Sequence, residues 1–214
     1  MCGLMIVYAG AGSADIPEMF APVLSGRKLV GIPDAVREAV GGQEAAVIVS
    51  HPGEAARLLA EAEKAGVSDV LVVPGISFVD AAAARLGAPL AGEYAVVRLT
   101  GPDAWDKIER RLEHAFQMGT PVVLCEPKSE EQRFALGKAI TVAAKYLSGD
   151  THVGVCRRAF TKNEEVFITT LEALGEYDEL IDARSVVIVG GENTKLWVGN
   201  DGEVKGMVTK NEGE

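Results

Sequence analysis

The first segment that could carry chemistry is a glycine-rich turn directly after an apolar run at the N-terminus. Its residues are Gly10-Ala11-Gly12-Ser13-Ala14-Asp15. A dinucleotide-binding fold has Gly-x-Gly-x-x-Gly at such a turn, because the third glycine lets the helix pack closely on the strand. Asp15 occupies that sixth position, which disfavours a Rossmann-type oxidoreductase. The turn is then either a flexible β–α connection or a site for a functional carboxylate, and Asp15 is also well suited to cap a helix N-terminus.

Two further segments place polar or conformationally special residues where apolar runs end. Pro74-Gly75-Ile76-Ser77 follows one run, and Cys125-Glu126-Pro127-Lys128-Ser129 begins at the end of another. In α/β folds, ligands bind beyond the carboxyl ends of the strands, where backbone groups are exposed. Both segments are therefore candidate ligand loops. Cys125 could equally be a buried core thiol, as free cysteines often are.

The elements that must hold these loops follow from hydrophobic periodicity. Short apolar runs alternate with helical patterns, which is typical of an α/β fold with buried parallel strands. Strands are predicted over residues 4–8, 28–32, 46–49, 70–73, 94–99, 121–125, 153–157, 166–169, 186–189, 196–198 and 204–208. Helices are predicted over residues 53–66, 79–86, 105–119 and 129–147, the third capped by Asp103 and the fourth opened by a capping box of Ser129 and Gln132.

A stretch rich in glycine, proline and small residues, 86–92, predicts a linker between two domains. We therefore expect an N-terminal α/β domain over residues 1–90, a C-terminal α/β domain over residues 91–209 and a polar tail over residues 210–214.

Composition excludes several classes of protein. The net charge of −10 argues against a nucleic-acid binder, which needs a basic surface. No apolar run reaches the roughly 20 residues of a membrane helix, and no basic segment precedes the N-terminal apolar run, so neither a membrane span nor a signal peptide is expected. Three cysteines without a Cys-x-x-Cys pair and three scattered histidines predict no disulfide framework and no metal site. These features favour a cytoplasmic protein.

The colinear set of motifs resembles the tetrapyrrole (precorrin) methylases, which use S-adenosylmethionine. The matching segments are Pro74-Gly75-Ile76-Ser77, Gly87-Ala88-Pro89-Leu90, WDKIERRL at 105–112, EPKS at 126–129, the 154–159 stretch and ITTL at 168–171. Within the family they look most like the precorrin-3B C17-methyltransferases of cobalamin biosynthesis. The resemblance runs from about residue 70 to residue 189 and implies two α/β domains with the cofactor in the cleft between them. It also implies a homodimer.

The resemblance carries site roles onto individual residues. It implies that Pro74, Gly75 and Ser77 contact the cofactor, that Cys125 and Ala159 lie beside its adenosine, and that Thr170 lies near the adenine. It also implies that Asp15 lies near the tetrapyrrole as a catalytic proton acceptor, since methylation of a ring carbon is accompanied by loss of a proton.

Four basic residues are candidate partners for the carboxylates of a precorrin-type substrate: Arg157, Arg158, Lys128 and His51. Arginine grips carboxylates bidentately, although isolated basic side chains are often only solvated.

The N-terminal half departs from the family pattern in two loops. Ser13 and Ala14 replace the Pro-Gly of the first loop, and Ser50-His51-Pro52-Gly53-Glu54 replaces a Ser-Gly-Asp-Pro-Gly loop that faces the methionine end of the cofactor. The segment between the second and third strands is also shorter than usual, by about one helix. His51 is therefore either a surface residue or a cleft residue.

The leading function is a methyltransferase in the cobalamin pathway. The alternative is a diverged, non-catalytic paralogue that binds a tetrapyrrole or S-adenosylmethionine.

Overall fold

The structure, a computed structural model, describes residues 4–8, 28–29, 32–41, 45–49, 52–73, 77–101 and 103–210. The chain divides into two compact units, one ending at Phe78 and the other beginning at Val79. This division falls earlier than the expected domain boundary at residue 90. Among the described residues, no helix is long and apolar enough to cross a membrane.

The N-terminal unit is built on a parallel four-stranded sheet. Its strands are β1 (Leu4–Tyr8), β2 (Lys28–Leu29), β3 (Ala45–Val49) and β4 (Val70–Val73), in the spatial order β2-β3-β1-β4. Two helices connect them, α1 (Ile32–Val40) between β2 and β3 and α2 (Pro52–Lys64) between β3 and β4. Parallel strands require such crossover connections, so the predicted α/β pattern is confirmed in this unit.

Two sequence predictions in this unit were wrong. The second strand ends at Leu29, and Ile32 begins a helix that the sequence analysis did not assign. Pro33 lies in the first turn of that helix, where its missing N–H costs no hydrogen bond. The segment between the second and third strands therefore contains one helix.

The end of α2 was predicted correctly from a single glycine. Gly66 has φ +75°, and Val67 donates its N–H to Ala62 O at 2.9 Å across it. This is the hydrogen-bond pattern of a Schellman motif, which glycine favours because it adopts positive φ without strain. Val67 packs on the small core formed by Ala35, Ala45, Val47, Ala55, Leu58 and Ala62.

The C-terminal unit contains a five-stranded mixed sheet in the order β6-β7-β10-β8-β9. These strands are β6 (Ala95–Arg98), β7 (Val122–Cys125), β8 (His152–Arg157), β9 (Glu165–Thr170) and β10 (Ser185–Val189). Helices α3 (Phe78–Arg85), α4 (Trp105–Gln117), α5 (Ala135–Ala143) and a 3₁₀ helix (Leu174–Leu180) accompany them, with α3 starting at the unit boundary. Alternate residues of the strands face α4 and α5 and form the main core, which includes Leu99, Leu112, Leu124, Leu136, Val155 and Val187.

A three-stranded sheet completes this unit, in the order β11-β12-β5. Its strands are β11 (Thr194–Val198), β12 (Val204–Thr209) and β5 (Gly87–Ala88). The predicted hairpin at Asn200-Asp201-Gly202 joins β11 to β12, and Gly202 has φ +81°.

Two residues of the segment predicted as a linker, Gly87 and Ala88, form strand β5. Gly87 pairs with Met207, and Met207 donates its N–H to Leu86 O at 2.7 Å. A Cβ on Gly206 would lie 2.7 Å from Leu86 O. The small residues of the segment therefore serve close strand pairing and not a flexible connection.

Two helix starts in this unit also differ from the predictions. The N-cap of α4 is Ala104, not Asp103, and no side chain caps it. Asp103 pairs with Arg111 at 2.7 Å instead, and the hydrogen bond from Arg111 lowers the pKa of Asp103.

Helix α5 begins at Ala135, after the predicted start at Ser129. Ser129 Oγ does accept the N–H of Gln132 at 3.0 Å. The Gln132 side chain, however, bonds the backbone of Gly101 at 2.8 Å and 3.3 Å and does not close the capping box.

Candidate functional site

One edge of the five-stranded sheet brings together two of the residues expected beside the cofactor, Cys125 and Ala159. Strand β10 runs antiparallel between β7 and β8, so Val186 pairs with both Cys125 and Cys156, and Ser185 pairs with Arg157. The carboxyl ends of β7 and β8 therefore lie on either side of the start of β10. We call this edge, formed by residues 125–128, 157–160 and 182–185, the strand-end site.

The strand-end site contains left-handed backbone turns. Among the described residues, the non-glycine residues with positive φ are Glu126 at 47°, Arg158 at 51° and Phe160 at 60°. A non-glycine residue in this region costs about 1–3 kcal/mol and persists only where the surroundings hold it, commonly at ligand sites. All three follow β7 or β8 directly. The two turns are therefore fixed features of this edge.

The turn after β7 is held by a carboxylate and backed by a neutral thiol. Glu126 Oε2 accepts hydrogen bonds from Arg98 Nε at 2.7 Å and from Thr100 Oγ1 at 3.3 Å. Cys125 is buried, and burial together with the Glu126 charge raises the pKa of its thiol to about 12, against a smaller lowering by Arg98. Its thiol therefore stays protonated at neutral pH. Such a thiol is a poor nucleophile and presents an apolar surface.

The turn after β8 encloses Ala159. This residue is buried between the left-handed Arg158 and Phe160. Glu164 closes the turn by accepting the N–H of Phe160 at 2.5 Å and a hydrogen bond from Arg85 Nε at 2.8 Å. The turn is therefore tied to α3 through Arg85 as well as to β8.

Most of the basic residues expected to meet a substrate are already paired. Arg157 Nε donates to Asp182 at 2.8 Å, and its Nη1 donates to Glu165 at 3.1 Å. Lys128 Nζ pairs with Asp178 Oδ2 at 2.6 Å. Arg158 is held more loosely, with Nη2 at 3.6 Å from Asp182, and its buried Nε finds no hydrogen-bond partner in the part of the chain that the structure describes. Arg158 is thus the one of these three cations with a buried donor left to satisfy.

Thr170 does not join the other predicted adenosine contacts. It ends β9 and pairs with His152 at the start of β8, whereas Glu165 pairs with Arg157 at the strand-end site. Five strand residues separate the two ends, which is about 17 Å. Thr170 instead lines an open groove of about 440 Å³ together with Ile168, Leu196 and Lys205. The structure therefore brings Cys125 and Ala159 to one edge and leaves Thr170 at the opposite edge.

The remaining predicted residues belong to the N-terminal unit. Ser77 is exposed just before α3. Asp15, His51, Pro74 and Gly75 lie outside the described residues. No group of three or more histidine, cysteine or acidic side chains in the described chain could hold a metal ion.

Sequence reasoning missed the third component of the strand-end site, the loop that leads into β10. Asp182 and Ser185 lie here, and Ser185 is 2% exposed. A weak signal was available, because Asp182-Ala183-Arg184-Ser185 is a polar turn directly before an apolar run. The turn could not be placed between β7 and β8 without the strand order.

We expect both described cysteines to resist alkylation in the folded protein. Burial raises the pKa of Cys156 to about 11, next to about 12 for Cys125. Iodoacetamide attacks the thiolate, whose fraction falls tenfold for each pKa unit. At pH 8 each should react at least about 100-fold more slowly in native than in denatured protein, measured by mass spectrometry of the tryptic peptides. Fast labelling of Cys125 in the native protein would contradict the burial of its thiol.

Comparison with known proteins gives a consistent result. A family model described as tetrapyrrole (corrin/porphyrin) methylases matches residues 33–175. A cobalt-factor III methyltransferase of Priestia megaterium is 32% identical over 172 residues, which are 75% of this chain and 31% of that protein. A probable cobalt-factor III C(17)-methyltransferase of Salmonella typhimurium is 34% identical over 128 residues, 59% of this chain and 52% of that protein. The chain thus matches about half or less of the length of these relatives.

Solved structures share the fold at low sequence identity. The crystal structure of the methyltransferase CobJ has a TM-score of 0.79 at 20% identity and covers 97% of this chain and 99% of its own. The uroporphyrin-III C-methyltransferase of Thermus thermophilus with S-adenosylhomocysteine has a TM-score of 0.63 at 15% identity and covers 87% and 91%. The expected α/β fold of the tetrapyrrole methylases is confirmed. With a family match over more than half of its length, this chain belongs to the tetrapyrrole (corrin/porphyrin) methylases.

Proposed function

We propose that this chain is an S-adenosylmethionine-dependent C-methyltransferase that acts on a precorrin-type tetrapyrrole in cobalamin biosynthesis, in the manner of the precorrin-3B C17-methyltransferases. The observation that carries this proposal is the strand-end site in a chain of this family. Cys125 and Ala159, which the resemblance assigns to the adenosine, lie at one edge beside the left-handed Glu126, Arg158 and Phe160.

The residues at this edge fit such a cofactor. Ala159 is small and Cys125 is neutral, so both can form apolar walls for an adenosine. Among the described residues the buried Arg158 Nε has no hydrogen-bond partner, and a buried donor of this kind can be satisfied by a bound ligand. S-adenosylmethionine supplies an activated methyl group on its sulfonium. The work left to the protein is to orient the two molecules and to exclude water.

The other site roles are part of the same proposal. Arg158 is the strongest candidate among the described residues for a substrate carboxylate, because its Nε donor has no partner among them and its Nη2 lies 3.6 Å from Asp182. Arg157 and Lys128 would need to exchange their present carboxylate partners to do so. His51 remains a proposed substrate contact.

A second candidate is a diverged, non-catalytic paralogue that binds the cofactor or a tetrapyrrole. The pairing of Arg157 with Asp182 and Glu165, and of Lys128 with Asp178, favours it, because it leaves less positive charge free for an anionic macrocycle. The altered loop at residues 50–54 points the same way.

Calorimetry and turnover separate these candidates. We expect S-adenosylhomocysteine to bind with a measurable heat and NAD to give none. Methyl transfer to a cobalt-precorrin-3-type substrate, followed by mass spectrometry, would support the enzyme. Binding without transfer would support the paralogue, and a lack of binding at millimolar concentration would contradict the methyltransferase assignment.

We also propose a cytoplasmic homodimer. The helix at 105–116 offers no apolar face for a dimer contact, because Ile108, Leu112 and Phe116 are buried within their own unit. The remaining support is the family resemblance, together with the exposed Trp197 and Val198 on β11. The free thiols of Cys125 and Cys156 fit a reducing compartment. Light scattering should give twice the chain mass at micromolar concentration, and a monomer mass would contradict the dimer.

A further inference from the structure

The loop into β10 contains a carboxylate, Asp182, that pairs with both arginines at the end of β8. Asp182 Oδ2 accepts a hydrogen bond from Arg157 Nε at 2.8 Å and lies 3.6 Å from Arg158 Nη2. Asp182 Oδ1 accepts the N–H of Arg184 at 2.8 Å and lies 3.4 Å from Ser185 Oγ. One oxygen therefore aligns two guanidinium groups, and the other shapes the loop before β10.

The backbone repeats this connection. Asp182 donates its N–H to Ser185 Oγ at 3.0 Å, and Ser185 donates its N–H to Asp182 O at 3.1 Å. Arg158, at φ +51°, donates its N–H to Arg184 O at 3.2 Å. The left-handed residue after β8 is thus bonded to the loop that Asp182 organises. If Asp182 lost its charge, the guanidinium groups of Arg157 and Arg158 would lose the carboxylate that they share, and the turn after β8 would be held less firmly to this loop.

We propose that Asp182 is a positioning residue of the strand-end site: it fixes the directions of Arg157 and Arg158 and, through them, the turn that presents Ala159 to the cofactor. The inference rests on the proposed function. It adds a residue that touches neither cofactor nor substrate and acts through the turn after β8. It also explains why Arg158 keeps a left-handed backbone that costs free energy, because the pairing with Asp182 and Arg184 offsets that cost.

Asp182 is held in its charged form at neutral pH. Burial raises its pKa, but the hydrogen bonds from Arg157 and the Arg184 N–H, with the charges of both arginines, outweigh burial and lower it. The hydrogen bond from Arg157 is charge-assisted, the stronger kind. Replacing the carboxylate with the amide of asparagine therefore removes the charge that aligns Arg157 and Arg158. The size of the side chain stays nearly the same.

The test compares Asp182→Asn, Asp182→Ala and a matched control, Asp201→Asn. Asp201 also accepts a turn N–H, that of Glu203 at 3.1 Å, and pairs with a cation, Lys205, at 2.6 Å, but it lies in the β11–β12 hairpin. The readouts are calorimetric titration with S-adenosylhomocysteine and hydrogen exchange of the Arg158 amide in the free protein. Each is measured at a temperature where every variant is folded.

We expect both Asp182 variants to raise the Kd at least about tenfold and to speed exchange at Arg158 by a similar factor, with less than a twofold change for Asp201→Asn. An asparagine can still accept the Arg184 N–H, so wild-type affinity in Asp182→Asn would overturn the role of the carboxylate. Equal loss in Asp201→Asn would show general destabilisation and overturn the proposal as well. A wild type that binds no S-adenosylhomocysteine would instead overturn the proposed function, and this inference with it.

Discussion

Gly191→Ala is expected to destabilise the C-terminal unit by about 3 kcal/mol, which corresponds to a fall in Tm on the order of 10 °C. Gly191 lies between β10 and β11 and donates its N–H to Thr194 Oγ1 at 2.9 Å. A Cβ at this position would lie 2.4 Å from Gly119 O and 2.7 Å from the carbonyl carbon of Thr120. Both neighbours are backbone atoms, so a change of side-chain rotamer cannot relieve the overlap. The strand ends themselves would have to separate.

Gly137→Ala is the matched control, with an effect of opposite sign. Gly137 lies inside α5, and a Cβ there would meet no atom within 4 Å outside its own helix. Alanine in a helix interior is favoured over glycine by about 0.5–1 kcal/mol.

Tryptophan fluorescence reports on this unit alone, since both tryptophans, Trp105 and Trp197, belong to it. Thermal unfolding followed by fluorescence should therefore show a lower Tm for Gly191→Ala and an equal or higher Tm for Gly137→Ala. A Tm for Gly191→Ala within about 2 °C of the wild type would contradict the close backbone approach.

Hydrophobic periodicity was sufficient to predict where most strands lie. It was insufficient to predict the boundaries of elements and domains that depend on tertiary contacts. Apolar runs such as residues 186–189 are long enough and β-branched enough to specify a buried strand locally, and the structure has Ser185–Val189 there. The linker prediction at residues 86–92 missed strand β5 at Gly87–Ala88, because composition cannot distinguish a flexible glycine from one that allows another strand to approach. Met207, the partner of Gly87, lies too far along the chain for any local pattern to reveal the pairing.

The candidate site shows the same limit. Motif matching reached Cys125 and Ala159, and the register of β7, β10 and β8 brings them to one edge. It could not reveal that Thr170 lies at the other end of β9, since strand direction depends on topology and not on the motif. Nor could it show that Arg157 is already bound by Asp182 and Glu165, because ion pairing is a property of side chains that meet only in the folded chain.

Gly75→Val is expected to abolish binding of S-adenosylhomocysteine, with no detectable heat at millimolar ligand. The family resemblance assigns Pro74, Gly75 and Ser77 to the cofactor loop, and glycine is the residue that lets a ligand approach the backbone closely. A valine side chain would occupy the volume that the adenosine needs. Because this loop keeps the family pattern while residues 50–54 do not, we expect the wild type to retain adenosine recognition and to bind the methionine end more weakly than typical members.

The matched control is Gly41→Val, at an exposed position after α1 in the same unit, where a Cβ would lie 3.4 Å from Glu38 O and 3.6 Å from Arg37 O. Titrations with adenosine and with S-adenosylhomocysteine should show binding of both ligands for the wild type and for Gly41→Val, and of neither for Gly75→Val. The two ligands differ by the homocysteine group, so the ratio of their affinities measures how much the altered loop still contributes. Affinity for adenosine that survives in Gly75→Val would place the cofactor elsewhere in the chain and would remove the assignment of Pro74, Gly75 and Ser77 to its site.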